Sequence, residues 1–251
     1  MPLMDEFREE REAIKHGTPK EKYQYFKDYY RTPLIIAVLC ITFVGILVFQ
    51  FVTRKDIAFY AMYLNCSPYE ENGWFLEEFT DKAGISLDEY DVTMDTAVYF
   101  KLNSYDEDTQ VTVQKIDTYT GAGHLDVMLG AGDEFAHYAN SIMFADVRNI
   151  LTPEQIAKYE PYFYYVDEAF LEKVGAVAKV GDDTTTLDVP DPKNPEAMER
   201  PIPVAIYVDS SDKLNKAYYF KNAEDGIAVG IFANTSHPEY VQSFIDYLMA
   251  D

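Results

Sequence analysis

Nineteen residues without a charge, Leu34 to Val52 (LIIAVLCITFVGILVFQFV), limit what this chain can become more than any other stretch of it. Only Thr42 and Gln50 among them are notably polar. At about 1.5 Å per residue a helix over this run spans about 28 Å, close to the hydrocarbon thickness of a bilayer. A core helix of a soluble domain normally keeps a polar stripe, and this run has none. The thirty-three residues before it carry both charge signs, whereas a secretory n-region is short and basic, and no small-x-small cleavage site follows. We therefore read an uncleaved signal-anchor crossing the membrane once. Lys15, Lys20, Lys22, Lys27 and Arg31 precede the span, and only Arg54 and Lys55 follow it closely. That bias predicts a cytoplasmic N-terminus and an extracellular remainder in the cell membrane. The expected organisation is a cytoplasmic helical tail over 1–33, a transmembrane helix over 34–53 and an outer domain over 54–251.

Charge divides the chain at the same place. Residues 1–55 hold nine Lys and Arg against seven Asp and Glu; residues 56–251 hold twelve against thirty-six, a net of −24. So acidic a domain repels nucleic acid and anionic lipid; solubility is the plain reason for it, and cation binding or a cationic ligand the sharper one. Cys40 lies in the apolar run and Cys66 beyond it, so the outer domain has no disulfide framework of its own. A domain of this size forms an adequate core without one.

In the tail, Asp5 to His16 favours helix and Gly17 suits its end. Thr18-Pro19-Lys20-Glu21 then reads as a capping box with Pro at the first helical position. The helix it opens carries Tyr23, Phe26 and Tyr30 on one face, a pattern suited to the headgroup layer or to a partner protein.

Beyond the span, Asp56–Cys66 is apolar almost throughout and predicts a strand covered on both faces, as in a parallel sheet. Helix is expected over Gly73–Ala83, strand over Tyr90–Phe100, a short buried strand over His124–Leu129 closed by Gly130, and helix over Glu134–Phe144. Thr109–Tyr119 is β-branched like a strand but stands where a helix is needed between strands. Thr152-Pro153-Glu154-Gln155 is a second capping box. Asp182–Arg200 reads as a long surface loop or hairpin, Pro203–Val208 and Gly226–Ala233 as strands, and Ser236 to Glu239 opens a final amphipathic helix. Strands alternating with helices give an α/β domain.

Catalytic and metal signatures are missing from the sequence. No two of His16, His124, His137 and His237 have the spacing of a zinc helix, and neither glycine turn, 121–123 or 130–132, matches a phosphate loop. The nucleophile-elbow pattern is absent. Asp182, Asp183, Asp188 and Asp191 offer oxygen ligands but not the order of a calcium loop. The tyrosines at 159, 162, 164 and 165 suit a core or interface more simply than a ligand. The expectation is a protein that is not an enzyme and needs no cofactor and no metal.

Three stretches resemble bacterial extracellular solute-binding proteins. They are GAGHLDVMLGAGDEFAHYANSIMFADV (121–147), GIAVGIFANTSHPEYVQSFIDYL (226–248), and Phe75–Phe79 with the turn Ala83-Gly84-Ile85. The tail and span look like those of membrane-anchored proteins of low-GC Gram-positive bacteria. The resemblance implies a periplasmic-binding-protein-like α/β domain, and 196 residues from 56 to 251 imply a reduced second lobe. It also implies a binding module for a small solute (a neutral sugar, peptide or amine) serving a transporter or sensor. The alternative is an envelope interaction or structural protein that kept the fold and lost the ligand site. In α/β sheets ligands meet loops at the carboxyl ends of strands. That rule selects Asn65 and Ser67 after the first strand, Gly130 and Asp133 after the short buried strand, and Asn234 after the late one. Each has a structural reading beside it: Gly130 and Asn234 as turn formers, Asp133 as a helix cap.

Overall fold

The first charge-free residues of the span lie in a helix of twenty-three residues, Arg31–Thr53 (α2), about 34 Å long. Its mean hydropathy over eighteen residues is 2.8 and no side chain in it is buried. It is long and apolar enough to cross a membrane. The Thr42 and Thr53 hydroxyls donate to the Val38 and Phe49 carbonyls at 2.9 and 2.7 Å, so their polarity is answered within the helix. Ahead of it α1 (Pro19–Tyr25) starts at the expected box: the Glu21 carboxylate accepts from the Thr18 N–H at 2.7 Å. This computed structural model describes residues 17–27, 31–180 and 188–250. The helix expected over 5–16, Tyr30, Asp182 and Asp183 lie outside the described residues. The described chain falls into two units, one ending at Arg54 and one beginning at Lys55.

The second unit is built on β1 (Asp56–Leu64), whose residues 58–64 are all buried. They alternate between two cores. Phe59, Ala61 and Tyr63 face one, and Tyr60, Met62 and Leu64 face the other. β1 pairs in parallel with β3 (Tyr90–Val98) on one side and β4 (Val127–Ala131) on the other. Two parallel strands require a crossover, and each is helical: α3 (Gly73–Ala83) before β3, α4 (Glu107–Gly121) before β4. That topological need outweighs the β-branched composition of 109–119. Asp106 secures the start of α4 by accepting from the Thr109 N–H at 2.8 Å. Between β1 and α3 stands the short β2 (Cys66–Pro68).

After β4 come α5 (Gly132–Ala139), α6 (Pro153–Tyr159), β5 (Phe163–Asp167), α7 (Glu168–Val180), β6 (Pro201–Tyr207), α8 (Asp212–Ala217), β7 (Tyr218–Phe220), β8 (Ile227–Ile231) and α9 (Pro238–Leu248). The main sheet runs β3-β1-β4-β8-β6-β5. β8 is antiparallel to both β4 and β6, so the sheet is mixed, not wholly parallel. β2 and β7 form a separate antiparallel pair. Helices cover both faces: α3 and α9 pack Phe75, Phe79, Phe244 and Tyr247 on one core, and α4 and α5 pack Ile116, Phe135 and Tyr138 on the other. Each such large side chain contributes about 1.5–3 kcal/mol by leaving water. The helix expected to reach Phe144 stops at Ala139, because 143–145 instead bonds to the end of β8. The tyrosine-rich stretch at 163–167, unassigned by pattern, is strand β5.

Candidate functional site

β4, β6 and the start of β8 end together at one rim of the sheet, and a cavity of about 900 Å³ opens there. Small residues make the room. Gly130 and Ala228 face each other across β4 and β8, and a Cβ on Gly130 would come within 3.0 Å of the Phe135 ring. Gly132 turns the chain into α5 at φ +63°, a conformation that favours glycine. Phe135, Phe170, Tyr164 and Tyr207 line the apolar wall.

The charged groups around this wall are mostly acidic. Asp133, Asp191 and Asp225 border the cavity, opposed by Lys193 and by His137. The Lys193 ammonium lies 4.8 Å from the centre of the Tyr207 ring and donates to the Asp225 carbonyl at 2.8 Å. Burial, then the neighbouring Asp191 and Asp225, raises the Tyr207 phenol well above its usual range; burial, Tyr207, Asp133 and Asp191 do the same to Tyr164. Both therefore stay protonated and can donate hydrogen bonds. Burial lowers the His137 pKa, and its ring stacks on Phe100 at 5.3 Å. A neutral imidazole, phenol donors, carboxylates and aromatic walls suit a neutral or cationic organic molecule. No group of three His, Cys, Asp or Glu among the described residues is arranged to hold a metal ion.

The residues singled out by sequence separate into three places. Gly130 and Asp133 line the cavity. Asp133 is the second residue of α5, whose N-cap is Ala131, and among the described residues its carboxylate makes no hydrogen bond or ion pair. It is therefore not a helix cap. Asn65 stands at the same rim but turns aside: its side chain accepts from the Phe100 N–H at 2.9 Å and donates to the Phe100 carbonyl at 2.6 Å, at φ +50°. Ser67 lies in β2 opposite Tyr219. Asn234 lies at the other end of the sheet, because β8 runs antiparallel, and its amide donates to the Thr120 carbonyl. Lys193, Tyr207 and Asp225 escape the sequence reading, and Tyr164 enters it only as a core or interface tyrosine, because β5, β6 and the turn before β8 reach this rim only through long-range pairing. Asp191 had appeared there only as one of four candidate calcium ligands. No protein family, curated protein or solved structure matches this chain.

Proposed function

We propose that the chain is a membrane-tethered binding module. In this reading α2 crosses the cell membrane with the N-terminal tail inside, and the second unit, outside, takes a small neutral or cationic solute. A sugar, a peptide or an amine fits, passed on to a transporter or sensor. The observation that carries it is the cavity at the Gly130–Asp133 rim. Such rims, where loops from parallel strands diverge, are where α/β sheets bind ligands. Here β3 and β4 leave β1 on opposite sides, so the end of β4 stands beside a switch point. The unengaged Asp133 carboxylate and the net acidity disfavour an anion in the cavity. The resemblance to solute-binding proteins supports the same reading: the short strand, loop and helix within its 121–147 stretch are the segment that borders the rim.

The test is a thermal-shift screen of the full chain against sugars, peptides and polyamines, followed by titration of any ligand found into Asp133→Ala. A charged hydrogen bond to that carboxylate implies binding weaker by about 1–3 kcal/mol. A full screen without one stabilising compound would overturn the reading and favour an interaction protein. Orientation has its own test: protease added to intact protoplasts should remove residues beyond the span and spare the tail.

A further inference from the structure

The cavity at the Gly130–Asp133 rim already holds a cation of the chain's own. Lys193 lays its ammonium 4.8 Å from the centre of the Tyr207 ring and donates to the Asp225 carbonyl at 2.8 Å. A turn of the Asx kind presents it there. The Asp191 carboxylate accepts from the Lys193 N–H at 2.9 Å, and the Asp191 carbonyl accepts from the Asn194 N–H at 3.0 Å. The ammonium uses only one of its three donors on this protein, and among the described residues no carboxylate forms an ion pair with it.

The surroundings offer more than one lysine takes up. Asp133, Asp191 and Asp225 border the cavity against the single Lys193 ammonium, so the lining is net negative whichever state His137 takes. The rings of Phe135, Tyr164 and Tyr207 form a continuous strip, with successive centroids 5.5 and 5.4 Å apart. An alkyl chain can lie along such a strip, and a cation is drawn to its faces. The Tyr164 hydroxyl has no hydrogen-bond partner among the described residues, although the residue is only 6% exposed and lines the cavity. A buried polar group left without a partner is costly, so a ligand that bonds to it is favoured. Asp133 and Asp191 act on this phenol, and Asp191 and Asp225 on that of Tyr207, so negative charge accompanies the strip at both tyrosines.

We propose that the cavity takes a linear diamine or polyamine, with one ammonium on Tyr207 where Lys193 now lies, the alkyl chain along the aromatic strip and a second ammonium at Asp133. Lys193 is then a tethered competitor that the ligand displaces. A site filled part of the time by its own side chain binds more weakly by the fraction of time it stands free, which sets a threshold against simple cations. The inference rests on the binding-module reading and narrows its ligand class.

Calorimetric titration of the full chain in phosphatidylcholine nanodiscs tests it, with putrescine as ligand, butylamine as its single-ended analogue and butanediol as its uncharged one. Putrescine should bind, butylamine more weakly, and butanediol not at all. K193M should tighten putrescine about fivefold by removing the competitor. Y207L should weaken it about tenfold, whereas Y207F, which keeps the ring, should not. D133N should weaken putrescine and leave butylamine unchanged. No binding of putrescine, or an affinity unchanged or lowered in K193M, overturns the proposal, and equal losses of both amines in D133N overturn its two-ended form. Should Y207L fail to fold, K193M decides alone, because Lys193 is exposed. A sugar or peptide that binds where putrescine does not would leave the binding-module reading standing without this inference; a chain that binds no solute of any class would end both.

Discussion

The two ends of the five-residue strand β4 follow opposite rules. At its start Asp126, 1% exposed, ties three segments together: it accepts from the Tyr60 N–H at 2.9 Å and the Thr235 hydroxyl at 2.5 Å, and the His237 ring stands 3.5 Å away. Just past its end Asp133 is exposed, its carboxylate makes no hydrogen bond or ion pair among the described residues, and it borders a cavity. The difference teaches how to tell framework from site. A polar side chain with its hydrogen-bonding capacity spent on the backbone positions the fold, while one left uncommitted beside a cavity is available to a ligand.

Removing Asp126 is the harshest test of that distinction. Asp126→Ala leaves a buried N–H and a hydroxyl without their acceptor, and should cost about 3 kcal/mol in urea unfolding. Binding by the protein that remains folded should be unchanged. A loss below 0.5 kcal/mol, within the usual range of about ±0.5 for surface changes, would dissolve the contrast between the ends.

Asn65→Ala should cost about 2 kcal/mol, because the amide closes two bonds to Phe100 and tolerates the left-handed backbone at φ +50°. If instead this variant kept its stability and lost a ligand found in the screen, Asn65 would move from framework to site. Asp133→Ala stands at the other extreme, with an expected stability change within about 0.5 kcal/mol. A clear drop in Tm there would mean that the carboxylate serves α5 after all.

Acidity gives the smallest and most selective effect. Burial raises the Asp126 pKa, only partly opposed by its bonds from Thr235 and Tyr60. Burial also pushes Asp167 up, but N–H donors from Arg200, Glu199 and Ala169 outweigh it and leave Asp167 lowered. The signs therefore differ. Asp126 favours the fold fully below its ordinary value of 3.8 and loses that contribution as pH rises through its folded value. Asp167 contributes above 3.8 and loses its share as pH falls through its lowered value. Urea midpoints of the parent against Asp126→Asn and Asp167→Asn across acid pH should diverge in opposite directions.

Much of the fold was legible because local signals agreed. Gly73–Ala83 is helical at the expected residues, Thr18 and Thr152 open helices with their boxes, and the apolar run is one helix. The antiparallel insertion of β8 had no local signal, since strand direction is fixed by partners far away in sequence. For the same reason the cavity was only half visible. Gly130 and Asp133 follow a strand and announce a loop, whereas Tyr164 and Tyr207 read as ordinary core aromatics until β5 and β6 bring them to the rim.

The position of β8 has a consequence for how the protein is made. Its five residues fill the centre of the sheet, yet they follow 171 residues of the same unit, counted from Asp56. A chain that emerges from its N-terminus must wait with β4 bare on one edge and β6 bare on one edge, each apolar and each able to pair with a foreign strand. Closure comes only when residues 227–231 arrive to bond both. Until then the nascent protein depends on its surroundings to shield two sticky borders, so a stop codon before residue 227 should yield aggregates or degradation, not a smaller working domain.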